Sequence, residues 1–423
     1  HVVHWHLEEG FREAMAAVIS DFEEMAAREG RKVKVIQRAI PRQYYDPWLN
    51  TNLVGGTAPD LIEIPQNWWR TNLLLQNFRQ IDTLVGQPNR FNDLDYVAEV
   101  MGDVDLHRNL SPDQRARHPE LQDPLLVKDR VAEFSDEFKA HIKEASVKST
   151  FLDGLIGGFN YDIAAYYSYP LSMAPERIFY NKDLLAKIGY ESPPQVLHEF
   201  FEMCEKLHEL EAPDGSQVFP IAAHNRTAFT FLLNRWARPF TWRNAHEFDW
   251  LMTGDQPFSA PFAAWESGQW NFYEPRTRAY FQATRKMASY FQPGFMSMQR
   301  DQATFAFVQQ RAGMFIAAAT DAAYLFGSTD FEVGVMNFPM PGPGDPEGWD
   351  EIVDMGIGEM TDVNGPIALN SRSENQDLAR EFIEFLTSVI WNERFNMVAR
   401  MMPSVAGARA ADELSAFVTD YDG

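Results

Sequence analysis

Val2, Val3, Trp5 and Leu7 form a short apolar run, and Phe11, Met15, Val18, Ile19 and Phe22 then recur at helical spacing. The pattern predicts a strand from Val2 to Leu7, a turn at Glu8-Glu9-Gly10 and an amphipathic helix from Phe11 to Arg28 that ends at Gly30. Val33 to Ile36 predict the next strand, Tyr45 to Leu53 a helix, and Leu61 to Ile64 a short apolar strand. This strand–helix–strand rhythm implies an α/β chain, its largely parallel sheet covered by helices on both faces. From about 85 to 150 the chain is polar and charge-rich, with weak helical periodicity near Val131 to Ile142, and reads as a surface insertion. The rhythm resumes at Tyr166 to Pro170 and in the strand Arg177 to Tyr180. Further elements follow: a helix from Thr277 to Tyr290, a helical stretch at Phe305 to Gln310, and strands at Gly313 to Ala318, Phe331 to Asn337 and Ile367 to Leu369. A strong amphipathic helix over Leu378 to Trp391 comes last.

At 423 residues the chain exceeds one ordinary core and implies two or more domains. Hydrophobic residues make up 45% and charged residues 23%, a globular balance. The net charge of -23 repels phosphate backbones, so nucleic acid is not an expected partner. The single cysteine, Cys204, excludes a disulfide within the chain and any cysteine-rich metal motif. It sits on a predicted helix with Phe200, Phe201 and Leu207, as a small buried hydrophobe would. No run of about 18 apolar residues is present to span a membrane. The chain opens directly on a strand, which reads as a mature N-terminus after removal of a leader.

The segment Ile178-Phe179-Tyr180-Asn181-Lys182-Asp183-Leu184-Leu185 runs from a strand directly into a helix. That helix closes at Gly189, and Ser192-Pro193-Pro194 then leads into another. With Ala58-Pro59-Asp60-Leu61-Ile62, Phe78-Arg79-Gln80-Ile81-Asp82, Tyr169-Pro170-Leu171, Phe307 to Ile316, Ala368-Leu369-Asn370-Ser371 and Met402-Pro403-Ser404, all in order, it resembles the extracellular solute-binding proteins of ABC importers. The likeness is to their sugar-binding, maltose-binding-protein-like group. It implies a two-lobe periplasmic-binding-protein-like fold, each lobe a mainly parallel sheet flanked by helices, the lobes joined by crossing hinge segments. Mapped onto this chain, lobe one takes 1–165 plus 311–363, with the insertion at about 85–150, and lobe two takes 166–310 plus 364–423. The ligand is expected in the interlobe cleft. The chain departs from the group in that long polar stretch. It also departs at Ala317-Ala318-Ala319-Thr320-Asp321, where an aromatic often follows the strand.

A sugar offers an apolar CH face and a rim of hydroxyls, which call for flat aromatics and fixed polar groups. In open α/β sheets such groups collect beyond the carboxyl ends of strands. The loops after predicted strands supply Glu8 and Glu9; Gln66, Asn67, Trp68 and Trp69; His224 and Asn225; and Thr320 and Asp321. Each has a local alternative: the acids suit a helix N-terminus, and Asn225 or Asp321 suits a helix cap. Trp236, Arg238, Trp242 and Trp349 complete the candidate contacts, although aromatics this dense also build cores.

Asn392-Glu393 resembles the Asn-Glu pair of some glycosidases but falls at a helix end. Asp103, Asp105, His107 and Asn109 alternate as calcium ligands do, without the glycine and distal Glu of an EF-hand. No phosphate loop follows Gly154 to Gly158. No catalytic residue, metal ligand or cofactor is therefore assigned. The resemblance implies an extracytoplasmic carbohydrate-binding protein, periplasmic or extracellular, with lipid anchoring left open. It would act as a monomer and deliver a mono- or oligosaccharide to the permease subunits of an importer with a separate ATPase. An extracellular glycoside hydrolase or lyase, or a binding protein for a non-sugar solute, are the alternative readings.

Overall fold

The computed structural model describes the chain except residues 7–9, 66–71, 111, 113–114, 116–120, 153–164, 228–231, 233–235, 237–239, 241–246, 249–258, 347–348, 350–360, 415–416 and 418–423. In chain order its strands are β1 (Val2–His4), β2 (Gln37–Ala39), β3 (Leu61–Glu63), β4 (Ser168–Tyr169), β5 (Ser172–Asn181), β6 (Phe219–Ala222), β7 (Ala312–Ala318), β8 (Val333–Met336), β9 (Thr361–Asn364), β10 (Ile367–Leu369) and β11 (Met402–Pro403). The chain divides into two compact units, His1–Ala174 with Asp362–Ser415, and Pro175–Thr361 with Ala416–Gly423.

The first unit holds the sheet β2-β1-β3-β10-β4. Side chains alternate across its pleat. Val2, Leu61, Ile367 and Leu369 enter one core with the helices Phe11–Arg28, Gln376–Leu386 and Val389–Ala399. Val3, Ile62 and Ala368 enter another with Tyr45, Leu49 and Leu53 of the helix Arg42–Gly55. Both faces are covered at β1, β3 and β10, which are buried along their length, while the edge strand β2 stays partly exposed.

In the second unit β6 lies parallel to β7, while β5 runs antiparallel to β7 and β8. Ile178 and Tyr180 of β5 join Met314 and Ile316 of β7 in one core, with Phe200, Cys204, Leu207, Trp236 and Tyr280. Phe179 faces the other way, against Phe326 and Phe417. The Tyr-Asn-Lys-Asp motif has a local purpose. Asn181 Oδ1 accepts the Leu184 N–H at 3.0 Å and caps the helix Lys182–Lys187. Gly189, at φ +85°, and the Tyr190 N–H donated to Leu185 O at 3.0 Å close it. Opposite Tyr180 stands Gly334, where any Cβ would fall within 2.1 Å of the phenol ring.

Four expectations are corrected. The sheets are mixed rather than mainly parallel, because β10 and β5 run against their neighbours. The late segments exchange units: residues 311–361 belong with the second, where β7 and β8 pair with β5, and 364–415 with the first, where β10 pairs with β3 and β4. The stretch 85–150 is no surface insertion, since Phe91, Leu94, Val97, Met101, Val127, Val131 and Ile142 are buried in the first unit's main core. The helix expected over Leu378 to Trp391 is two helices. Thr387 and Ser388 donate side-chain hydrogen bonds back to Ile383 O and Phe385 O, both at 2.7 Å, and Ser388 turns extended between them. Among the described residues no helix is long and apolar enough to cross a membrane.

Candidate functional site

In the second unit, β6 ends at Ala222 and β7 at Ala318, and the segments that leave these parallel strands border a recess of about 200 Å³. Its lining includes Glu176 from the middle of β5, His224, Arg226 and Thr227 from the segment after β6, Ala317 and Ala318, and Thr320 and Asp321 after β7. Arg300, the first residue of the helix Arg300–Val308, completes it.

Backbone hydrogen bonds fix the segment after β6. Buried Gln292 accepts the Ala223 N–H at 2.9 Å and donates to its carbonyl. The His224 N–H is donated to Thr227 Oγ1 at 3.1 Å and the Thr227 N–H to His224 O at 2.9 Å, so Thr227, not Asn225, closes this turn. The Asn225 N–H is donated to Met298 O at 3.2 Å. The His224 ring is 7% exposed, and its Nδ1 has no hydrogen-bond partner among the described residues. Burial pushes its pKa below the ordinary histidine value; the Arg300 and Arg226 charges push the same way, against a hydrogen bond with Asn225. The imidazole is thus neutral at pH 7 and borders the recess.

Asp321 precedes the helix Ala322–Ser328 but makes no side-chain cap to it; it is ion-paired with Arg300 instead. Arg226 is exposed and makes no ion pair among the described residues. Two guanidiniums, two carboxylates, two hydroxyls and a neutral imidazole therefore surround one small space beside an alanine-lined strand end. That mixture fits a ligand rich in hydroxyl groups, each of which both donates and accepts.

In the first unit, polar side chains gather at the carboxyl ends of β1 and β3. His6 Nε2 lies 2.9 Å from Glu63 Oε1, both buried, and the Trp5 N–H is donated to Glu63 Oε2 at 3.2 Å. Tyr45 donates its hydroxyl to Glu63 O at 2.6 Å. Phe11 stacks on His6 at 4.1 Å, and the Arg42 guanidinium lies 5.0 Å from the centre of the Trp5 ring.

Of the residues expected from the sequence, His224, Thr320 and Asp321 meet at the recess, and Asn225 is adjacent. Trp236 is only 1% exposed, packed edge-on to Phe240 at 5.8 Å, and is a core residue rather than a stacking surface. Trp349 packs, partly buried, against the same core. Glu8, Glu9, Gln66, Asn67, Trp68, Trp69, Arg238 and Trp242 lie outside the described residues. Sequence reading missed Glu176, Arg226 and Arg300. Arg226 adjoins the two residues chosen, and Glu176 lies within the strand that carries the best-defined motif. Nothing local marks Arg300.

The pairs set aside have structural partners. Asn392 donates to Leu171 O at 2.8 Å, and Glu393 holds Arg130 and Arg409. Asp105 Oδ1 accepts the His107 and Leu125 N–H groups, and Asp103 pairs with Arg28. No group of three or more metal-ligating side chains is placed to hold an ion among the described residues.

A mixed α/β chain of two units, with polar groups at the carboxyl ends of parallel strands, has the architecture of the two-lobe solute-binding proteins. Residues 125–392 match the bacterial extracellular solute-binding protein family, and the chain belongs to it. Its fold is similar to that of AcbH, a bacterial solute receptor with an exclusive preference for β-D-galactopyranose; identity is 14%, the TM-score 0.61, and the match covers 99% of this chain and 84% of that one. It is similar as well to the GacH receptor of Streptomyces glaucescens, solved without ligand and with acarbose, at 13% identity, TM-score 0.58, and 98% and 82% coverage. A family 1 extracellular solute-binding protein from Bifidobacterium longum subsp. infantis is 18% identical, with TM-score 0.56 and coverage of 100% and 86%. No curated protein matches the sequence.

Proposed function

We propose that the protein captures a mono- or oligosaccharide outside the cytoplasmic membrane and delivers it unchanged to an ABC importer. The observation that carries this reading is the recess of the second unit, whose donors and acceptors suit sugar hydroxyls. AcbH and GacH, which share the fold, bind a sugar and acarbose respectively. On the second unit the proposed contacts are His224, Arg226, Thr320 and Asp321, with Arg300 and Glu176. On the first they are Glu8, Glu9, Gln66, Asn67, Trp68 and Trp69. The protein acts as a monomer, free or lipid-tethered, and its partner is a pair of permease subunits driven by a separate ATPase.

Asp321→Asn tests the site. Losing a charged acceptor costs about 1.5–3 kcal/mol of binding, or roughly ten- to a hundredfold in affinity. Its pairing with Arg300 is half-exposed, so the fold loses under about 1 kcal/mol. Calorimetric titration with the best-bound saccharide, beside a thermal melt, reads both. Unchanged affinity in a normally folded variant contradicts the placement.

A further inference from the structure

A second recess, of about 590 Å³, adjoins the first and shares Arg300 and Asp321 with it. It lies between the helices Arg300–Val308 and Ala322–Ser328, over Phe315 and Leu325. Its chemistry differs from that of its neighbour. Phe305 is 58% exposed and Tyr324 56%, two large rings left open to solvent at one recess. Asp301 stands at the same recess, with no ion pair among the described residues. Gln302 and Thr304 are tied into their own helix, Gln302 through the Gln299 N–H and Thr304 through Arg300 O. The open features are thus two aromatic faces and one carboxylate.

We infer that this recess holds a second glycosyl ring of the same ligand, its CH face on Phe305 and Tyr324 and its hydroxyls toward Asp301. The inference rests on the saccharide reading above. Continuity argues for one ligand rather than two: the Arg300–Asp321 pair borders both recesses, and its polar atoms serve the junction between rings. Size agrees, since the volume lies within the ordinary range for small-molecule sites, about 300–1,000 Å³. So does chemistry, because aromatic faces beside a carboxylate suit a pyranose better than a wholly apolar group. Tyr324 and Phe305 then set the preferred chain length, while the first recess sets which sugar begins the chain.

Calorimetric titrations of the wild type, Tyr324→Ala and Phe305→Ala test this. The probes are galactose, raffinose and stachyose; xylose, xylobiose and xylotriose; and N-acetylglucosamine, chitobiose and chitotriose. Both side chains are exposed, and circular dichroism melts confirm that the variants fold. The expected result is that the wild type binds a di- or trisaccharide at least tenfold more tightly than the matching monosaccharide. Each variant should lose about tenfold on the longer ligand and nothing on the monosaccharide. Equal affinity for mono- and oligosaccharide, or variants with unchanged oligosaccharide affinity, overturns the subsite and leaves the saccharide reading standing. If no member of the three series binds, the subsite is overturned, and the saccharide reading stands or falls on a wider screen of neutral and acidic sugars.

Discussion

Replacing Glu393 by glutamine removes the charge that holds two arginines within the first unit. The carboxylate is 3% exposed and Arg130 4%. Arg130 Nε reaches Glu393 Oε1 at 2.9 Å and its Nη2 reaches Oε2 at 2.8 Å; Arg409 donates its N–H to Oε2 at 2.8 Å and an Nη2 hydrogen to Oε1 at 3.1 Å. Breaking a buried pair from one side costs about 3–5 kcal/mol, because the remaining ion stays desolvated without its partner. Here Arg130 keeps Glu133 Oε2 at 3.0 Å and Gly407 O at 3.0 Å, which puts the expected loss near 3 kcal/mol. For a unit of this size each kcal/mol lowers the midpoint by about 2–4 °C, so the first unit should melt about 6–12 °C lower. Glu133→Gln is the control: that side chain is 45% exposed, and its loss should cost less than about 1 kcal/mol. Scanning calorimetry of the three proteins measures both effects. A Glu393→Gln midpoint within 2 °C of wild type would refute the reasoning. A stable variant that had lost a hydrolytic activity would go further and give the Asn392-Glu393 pair a chemical role.

Two other perturbations follow from the second unit. Phe417 is fully buried, 5.7 Å from Phe179 and beneath the Arg177 guanidinium, so Phe417→Ala should cost about 3–5 kcal/mol by leaving a cavity; urea unfolding measures it, and a loss below about 1 kcal/mol would show that the C-terminal residues do not secure this unit. His224 has a folded pKa below the ordinary 6.5, so the unfolded chain takes up its proton first and stability, complete above pH 6.5, falls as the pH drops from there toward the folded pKa. Subtracting the stability of His224→Gln from that of wild type between pH 8 and 5 isolates this component, and a flat difference contradicts it.

The elements read most clearly are those whose information is local. The helix Phe11–Arg28 agrees residue for residue, since its apolar stripe and Gly30 stop lie within one segment. Asn181, Gly189 and the helix between them are equally local. Strand partners are not. Nothing in Ala312–Ala318 says that it pairs with β5 and β6, and mapping the lobes by resemblance places the late segments in the opposite units. In the stretch near 85–150, Leu94, Val97 and Met101 keep helical spacing, but the acids between them hide the buried face. Of the residues chosen by the rule that ligand groups follow strand ends, His224, Thr320 and Asp321 border one recess. It misjudged Trp236, because an indole in an aromatic-rich stretch packs as readily as it stacks. Arg300 comes to the recess through a helix start 21 residues before Asp321, a proximity that folding alone creates.

The most direct test of the account is a thermal-shift screen of the intact protein against neutral sugars, uronic-acid oligosaccharides, polyamines and amino acids, with each ligand's mass checked afterward. A ligand at about 100 times its dissociation constant stabilises the folded state by roughly 2.7 kcal/mol, enough to raise the midpoint by several degrees. The account predicts a rise with one saccharide class and recovery of that saccharide intact. Consumption of the saccharide, or a rise only with polyamines or amino acids, contradicts it.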